Sequence, residues 1–196
     1  MNRSGRGQKG GAQGQVRIIG GDLRGSKLPV ADREGLRPTG DRVRETLFNW
    51  LQPMLAGSRC LDLFAGSGAL GFEAASRGAG EVVMIERDRE LARSLSDSAK
   101  RLKTSNVRVL EADALRWLSE PPAAAEQRFD LVFLDPPFGA DLWSGVLAKL
   151  DAWVKDDAWL YLEATPQASA RPDGGWQLHR QGQTRDVAFS LWRRSA

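Results

Sequence analysis

From Gly57 onward, short apolar runs alternate with longer stretches whose apolar residues recur every three or four positions. That is the rhythm of a parallel sheet wrapped by helices. The apolar runs predict strands at Arg59–Phe64, Glu81–Glu86, Val107–Glu111, Phe129–Asp135 and Trp159–Glu163. Helices are predicted near Ala69–Arg77, Asp88–Leu102, Ala114–Ser119 and Asp141–Trp153, and the Pro121-Pro122-Ala-Ala-Ala stretch reads as a loop. The expected architecture is an open α/β sheet. Near the end, Trp176–Arg180 and Asp186–Trp192 alternate around Gly182-Gln183-Thr184, which predicts a closing antiparallel hairpin.

The upstream text has a different pattern. Val43, Leu47, Trp50, Leu51 and Met54 recur at helical spacing, with Asp41 placed to cap the helix and Gly57 to close it. Between Gln15 and Val30, Val16, Ile18 and Ile19 precede Gly20-Gly21-Asp22, and Leu23 to Leu28 follow it, a short hairpin with cations on both arms. Residues 1–14 lack apolar periodicity and are expected to form a disordered basic tail. A single domain is expected over 15–196, with the basic hairpin at about 15–40, and there are no internal repeats.

Composition narrows the class. The 196 residues suit one core, with 41% apolar and 27% charged side chains, and no apolar run approaches the length of a membrane span. The first residues lack the apolar stretch of a secretory signal, so a cytoplasmic protein is expected. One cysteine, Cys60, and one histidine, His179, can form neither a disulfide nor a Cys/His zinc site. The net charge of +3 conceals an asymmetry: residues 1–44 hold ten basic and four acidic side chains, and the remainder 18 and 21. A basic end on a mildly acidic body suits contact with a polyanion, and the preference for arginine suits phosphate; the alternative is a solvated tail.

The strongest motif is Asp62-Leu-Phe-Ala-Gly-Ser-Gly-Ala-Leu-Gly71, a Gly-x-Gly-x-x-Gly between a predicted strand and helix. Such a loop brings backbone close to a ligand at a helix N-terminus. Glu86 ends the next apolar run, where an acid can accept from ribose hydroxyls or remain a surface carboxylate. This grammar serves both NAD and S-adenosylmethionine. Asp62 just ahead of the loop favours a cationic sulfonium with its amino-acid moiety over a diphosphate, which its charge would repel. Cys60, Tyr161 and His179 read as structural rather than as the acid or base of hydride transfer.

Leu134-Asp135-Pro136-Pro137-Phe138 closes another apolar run. Two prolines stop the strand and present a carboxylate, a proline carbonyl and an aromatic ring together. Asp135 and the Pro136 carbonyl could hold the two hydrogens of a nucleobase amine while Phe138 stacks on the base; alternatively this is a strand-terminal turn with Phe138 in the core. Asp113 could accept from an adenine amine, with the Ala114 N–H facing the ring, or could simply cap the following helix.

These segments in this order resemble the class I S-adenosylmethionine-dependent methyltransferases, and the Asp-Pro-Pro-Phe form is similar to that of amino-group methyltransferases of nucleic acid bases. Arg17-Ile-Ile-Gly-Gly21, Arg24-Gly-Ser-Lys-Leu-Pro-Val30 and Arg37-Pro-Thr-Gly-Asp-Arg-Val-Arg-Glu-Thr-Leu-Phe-Asn49 resemble the bacterial 16S rRNA (guanine-N2) methyltransferases of the RsmD type. The resemblance covers about Val16 to Trp192. It implies a Rossmann-like, seven-stranded, mostly parallel sheet with the C-terminal hairpin inserted antiparallel, S-adenosyl-L-methionine as cofactor, and a guanine of 16S rRNA as substrate, within the small ribosomal subunit or its assembly intermediate. It implies that Asp62, Phe64, Gly66, Gly68, Glu86, Asp113 and Ala114 line the cofactor and that Asp135, Pro136 and Phe138 hold the guanine. Arg37 and Thr39 are implied at the site's edge, and Arg17, Arg24, Lys27, Arg42 and Arg44 as phosphate contacts. A monomer with no membrane partner is expected. Methylation of another nucleobase amine, an idle RNA-binding module and an NAD-dependent oxidoreductase are the alternatives.

Overall fold

The computed structural model describes residues 14–31, 39–137, 142–168 and 171–195. The expected tail lies outside them apart from Gly14, as do Arg37 and Phe138. A seven-stranded sheet forms from β3 (Arg59–Asp62), β4 (Glu81–Glu86), β5 (Val107–Glu111), β6 (Phe129–Leu134), β7 (Val154–Ala164), β8 (Trp176–Gln183) and β9 (Ala188–Arg194), in the order β5-β4-β3-β6-β7-β9-β8. Strands β3 to β7 are parallel, and β9 is antiparallel to both its neighbours. Helices α2 (Ala69–Ser76), α3 (Arg89–Leu102), α4 (Ala114–Trp117) and α5 (Trp143–Leu150) lie between successive parallel strands along the chain.

The apolar runs are continuous because both sheet faces are covered. Cys60, Val82, Met84, Leu131, Phe133 and Tyr161 enter one core, whereas Leu61, Val83, Ile85, Val132, Leu134, Leu160 and Leu162 enter the other. The first core also takes α1 (Asp41–Leu55) through Val43, Leu47, Phe48, Leu51 and Leu55. Trp50, expected on that stripe, is only partly buried and stacks on Phe189 at 5.5 Å.

Ahead of α1, β1 (Gly14–Arg17) pairs antiparallel with β2 (Lys27–Val30). This hairpin is part of the core on one side, since Ile18 and Leu28 are fully buried, and cationic on the other, where Arg17, Arg24 and Lys27 are exposed. Its Gly20-Gly21 segment docks on the end of α2. The Ile19 and Gly20 N–H groups donate to the two carboxylate oxygens of Glu73, each at 2.8 Å, and the Asp22 N–H donates to the Ser76 carbonyl at 2.8 Å. Gly21 has φ +74°, and a Cβ there would overlap that same carbonyl, so the contact requires glycine.

Several boundaries differ from expectation for local reasons. Asp41 does not cap α1; Gly40 is the cap residue, and the Asp41 carboxylate instead accepts from Arg44 at 2.6 Å. Strand β7 starts five residues before Trp159, because its first half carries Lys155, Asp156 and Asp157 and shows no apolar run. Gly182 is inside β8, where a Cβ would meet the Phe189 ring, and the turn is made by Thr184, whose hydroxyl accepts from the Val187 N–H at 3.1 Å. No helix among the described residues is long and apolar enough to cross a membrane.

Arg44 and Glu73 are both fully buried, with Nη1 to Oε2 at 3.4 Å. Removing Glu73 leaves the buried Arg44 with only the largely exposed Asp41 as counter-charge and strands the Ile19 and Gly20 N–H groups. Glu73→Ala is therefore expected to cost about 3 kcal/mol, lowering the thermal midpoint by roughly 6–12 °C. A melting curve within two degrees of wild type would show that the latch contributes little.

Candidate functional site

The strand order reverses between β3 and β6, and such a switch point opens a crevice at the carboxyl ends of the strands. Here the crevice is a cleft of about 290 Å³ lined by the glycine loop after β3, by Glu86 and Asp88 after β4, by Ala112 to Leu115 after β5, by Asp135, Pro136 and Pro137 after β6, and by Thr39. Ile85, Leu91, Leu115 and Leu142 supply apolar wall.

Two acids shape the glycine loop. Glu86 accepts from the Gly66 N–H at 2.9 Å through one oxygen and from the Asp88 N–H at 2.8 Å through the other. Asp62 accepts from the Gly71 N–H at 3.1 Å. Each carboxylate oxygen retains a lone pair for a ligand. Gly66 and Gly68 have φ of +51° and +76°, the left-handed region that glycine tolerates. Gly66 and Phe64 line the cleft, but Gly68 does not: it caps α2 from behind, and a Cβ there would strike Phe72 and Leu95. Asp113 is exposed and caps α4 by accepting from the Arg116 N–H at 3.0 Å, so the capping reading holds, although Asp113 and the buried Ala114 also line the cleft.

At the other end, Asp135 is half-buried and Pro136 buried. The Thr39 hydroxyl stands 3.4 Å from the Asp135 carboxylate and 2.9 Å from Oε2 of Glu163, which also accepts from the Tyr161 hydroxyl at 2.8 Å. Glu163 is absent from the sequence-predicted site. A signal was available: it ends the Trp159–Glu163 run as Asp135 ends its own, and the β6–β7 register pairs Leu134 with Leu162, so the two acids emerge side by side. Tyr161, read as structural, is the phenol that holds it.

Burial dominates the electrostatics here. It pushes the Asp62 carboxyl up to about 7, with Gly71 pulling the other way and the Glu86 charge adding to the rise. Asp135 is driven well above the usual carboxylate range by desolvation, then by the charges of Glu163 and Asp62, against a lowering hydrogen bond from Thr39. Burial also raises Glu163, while the hydroxyls of Tyr161 and Thr39 pull it down. Cys60 is buried and its thiol is pushed up to about 12, which keeps it protonated and inert.

The basic residues divide. Arg17, Arg24, Lys27 and Arg42 are exposed, available to a phosphate. Arg44 is not: its guanidinium is fully buried and donates to the Thr39 and Arg17 carbonyls, at 3.2 and 2.9 Å, besides pairing with Asp41 and Glu73. The expectation that it contacts phosphate is corrected, because no face of it reaches solvent.

The family model described as conserved hypothetical protein 95 matches residues 16–193. Ribosomal RNA small subunit methyltransferase D of Escherichia coli K12 is 44% identical over 186 residues, covering 93% of this chain and 92% of that one. The chain belongs to this family. The Haemophilus influenzae relative of the same name is 44% identical, covering 92% and 95% of the two chains. The solved structure of yhhF from Escherichia coli superposes with a TM-score of 0.83 at 43% identity, covering 93% of this chain and 99% of that one. The fold is that of class I methyltransferases.

Asp62 supplies a stability test with a definite sign. Its folded value lies above its ordinary 3.8, so its contribution to stability is complete below about 3.8 and is lost as pH rises through about 7. Asp62→Asn lacks that loss. In denaturant titrations between pH 4 and 8, the variant's stability relative to wild type is expected to improve with pH; a constant difference would contradict the raised carboxyl.

Proposed function

We propose that this protein transfers a methyl group from S-adenosylmethionine to the exocyclic N2 amine of a guanine in 16S rRNA, with the small ribosomal subunit or its assembly intermediate as substrate. The observation that carries the reading is the juxtaposition of the glycine loop with Asp135-Pro136 in one cleft, in a chain whose relatives bear the name of a small-subunit rRNA methyltransferase.

The cleft fits the methyl donor. Asp62 is suited to the cationic amino-acid end, Glu86 has lone pairs for ribose hydroxyls, and Ala114, Leu115 and Leu91 offer apolar surface to a purine. The five acidic residues along the wall, Asp62, Glu86, Asp88, Asp113 and Asp135, are ill suited to the diphosphate of a dinucleotide, which disfavours an oxidoreductase. When bound, S-adenosylmethionine supplies a methyl carbon on a positively charged sulfur, an electrophile that needs no covalent intermediate with the enzyme.

The chain's own residues address the weak nucleophile. The amine lone pair of guanine is delocalised into the ring. An Asp135 carboxylate and the Pro136 carbonyl, which has no N–H of its own residue beside it, can accept the amine's two hydrogens and turn the lone pair towards the donor. Phe138 is proposed to stack on the base. The base leaves its helix to reach the cleft, as RNA bases do when read singly. The exposed Arg17, Arg24, Lys27 and Arg42 are proposed to grip the phosphate backbone on either side.

Labelled S-adenosylmethionine and small-subunit particles lacking the modification test the reading. Label in N2-methylguanosine is the expected result; label in another nucleoside overturns the base, and cofactor binding without label overturns the reaction. Asp135→Ala is expected to lower turnover by about 10²-fold or more while cofactor affinity by calorimetry is unchanged. Neutralising Arg17, Arg24 and Lys27 together is expected to weaken RNA binding and to flatten its dependence on salt by about three contacts' worth. An unaltered salt slope would remove the hairpin from the interface.

A further inference from the structure

The buried group that the methyl-transfer reading leaves without a task is Glu163. It is 3% exposed, and the hydroxyl protons of Thr39 and Tyr161 both point at one oxygen, Oε2. A carboxylate given two hydroxyl donors is stabilised as the anion. The Thr39 hydroxyl has a single proton to share between two carboxyl groups: the 2.9 Å contact gives Glu163 the stronger donor, and the 3.4 Å contact leaves Asp135 a weak one. Two carboxyl groups thus flank one hydroxyl, and only one of them has its charge well supported.

We propose that Glu163 is a positioning residue which, anchored by Tyr161 and bridged by Thr39, makes Asp135 the proton acceptor for the guanine amine. The inference rests on the methyl-transfer reading of the cleft and adds to it three residues that do not touch the reacting atoms. A carboxylate of ordinary basicity is a poor acceptor, and one whose ionised form is opposed by a neighbouring anion is a better one. In the step concerned, the proton leaves N2 for a carboxylate oxygen of Asp135 and the N–H bonding pair stays on nitrogen, offsetting the positive charge gained with the methyl group.

The groups facing Asp135 are consistent with that task. Asp62 on β3 and Glu163 on β7 raise it, Tyr161 on β7 is neutral and held to Glu163, and Thr39 precedes α1. Within this group of residues Arg44 on α1 meets the Thr39 carbonyl, while its charge meets Asp41 and Glu73. Arg44 and the Thr39 backbone thereby fix where the bridging hydroxyl sits.

Because the pair titrates together, the observable is its last ionisation. In protein labelled at the aspartate carboxyl carbon, with Asp135 assigned through Asp135→Asn, NMR titration is expected to show the Asp135 midpoint lower by about one pH unit or more in Glu163→Gln. It should be higher in Thr39→Val, which removes a donor, and return to the wild-type value in Thr39→Ser. The acidic limb of the pH profile for kcat should move in the same opposite directions, whereas lost packing would lower kcat without moving it. An Asp135 midpoint unchanged in both Glu163→Gln and Thr39→Val overturns the proposal. The titration needs no RNA, so absence of methyl transfer by the wild type would overturn the functional reading without touching this result.

Discussion

The buried pair of Arg44 and Glu73 is the interaction on which the arrangement of the other parts depends. Glu73 receives two N–H groups of the N-terminal hairpin, the Arg77 guanidinium and the Arg44 guanidinium. Arg44 in turn donates to the carbonyls of Arg17 and Thr39. One ion pair therefore ties the hairpin, α1 and α2 into a unit and ends on the residue whose hydroxyl sits between Asp135 and Glu163. Two charges in an apolar interior are costly to desolvate, and only this density of hydrogen bonds makes them tolerable. What the pair confers is position. It orients a cationic hairpin and one edge of the cleft from the same few atoms.

A second constraint follows from parallel strands. Side-by-side carboxyl ends bring together the last residues of β3 and β4, the residue after β6 and one at the end of β7, and in this chain those residues are Asp62, Glu86, Asp135 and Glu163. Four acids at one edge of a sheet oppose one another, and burial raises three of them. The relief is local and unequal. Glu86 is held by two backbone N–H groups, Glu163 by two hydroxyls and Asp62 by the backbone N–H groups of Gly71 and Phe64, whereas Asp135 has a distant hydroxyl. The least supported acid is Asp135, the one the proposed reaction assigns to the amine.

How much of this could be read in the sequence depended on the range of the interaction. The strands at Glu81–Glu86 and Val107–Glu111 match expectation to the residue, because their boundaries are set by local turns and continuous burial. The glycine loop and Asp135-Pro136 were legible as motifs since backbone conformation at Gly66 and the prolines is a local matter. Arg44 was misread because a charged side chain in a basic segment looks solvated, and its partner Glu73 is 29 positions away. Gly20-Gly21 read as a hairpin tip, but Gly21 is needed by a carbonyl of α2 that no local pattern announces. Glu163 lay between these cases. Its position at the end of an apolar run was visible, and its neighbour across the sheet required the register.

The same register places the site at the end of strands buried on both faces. Asp135 follows β6, the strand between β3 and β7, and its flanking residues Phe133 and Leu134 are fully buried in opposite cores. Any repulsion among the acids acts against strands that both cores hold in place, so it is relieved by proton uptake rather than by movement. Movement would require Leu134 and Leu162 to leave register together. A sheet edge that cannot yield converts crowding of charge into basicity, and that property is what an amine-methylating site needs from a carboxylate.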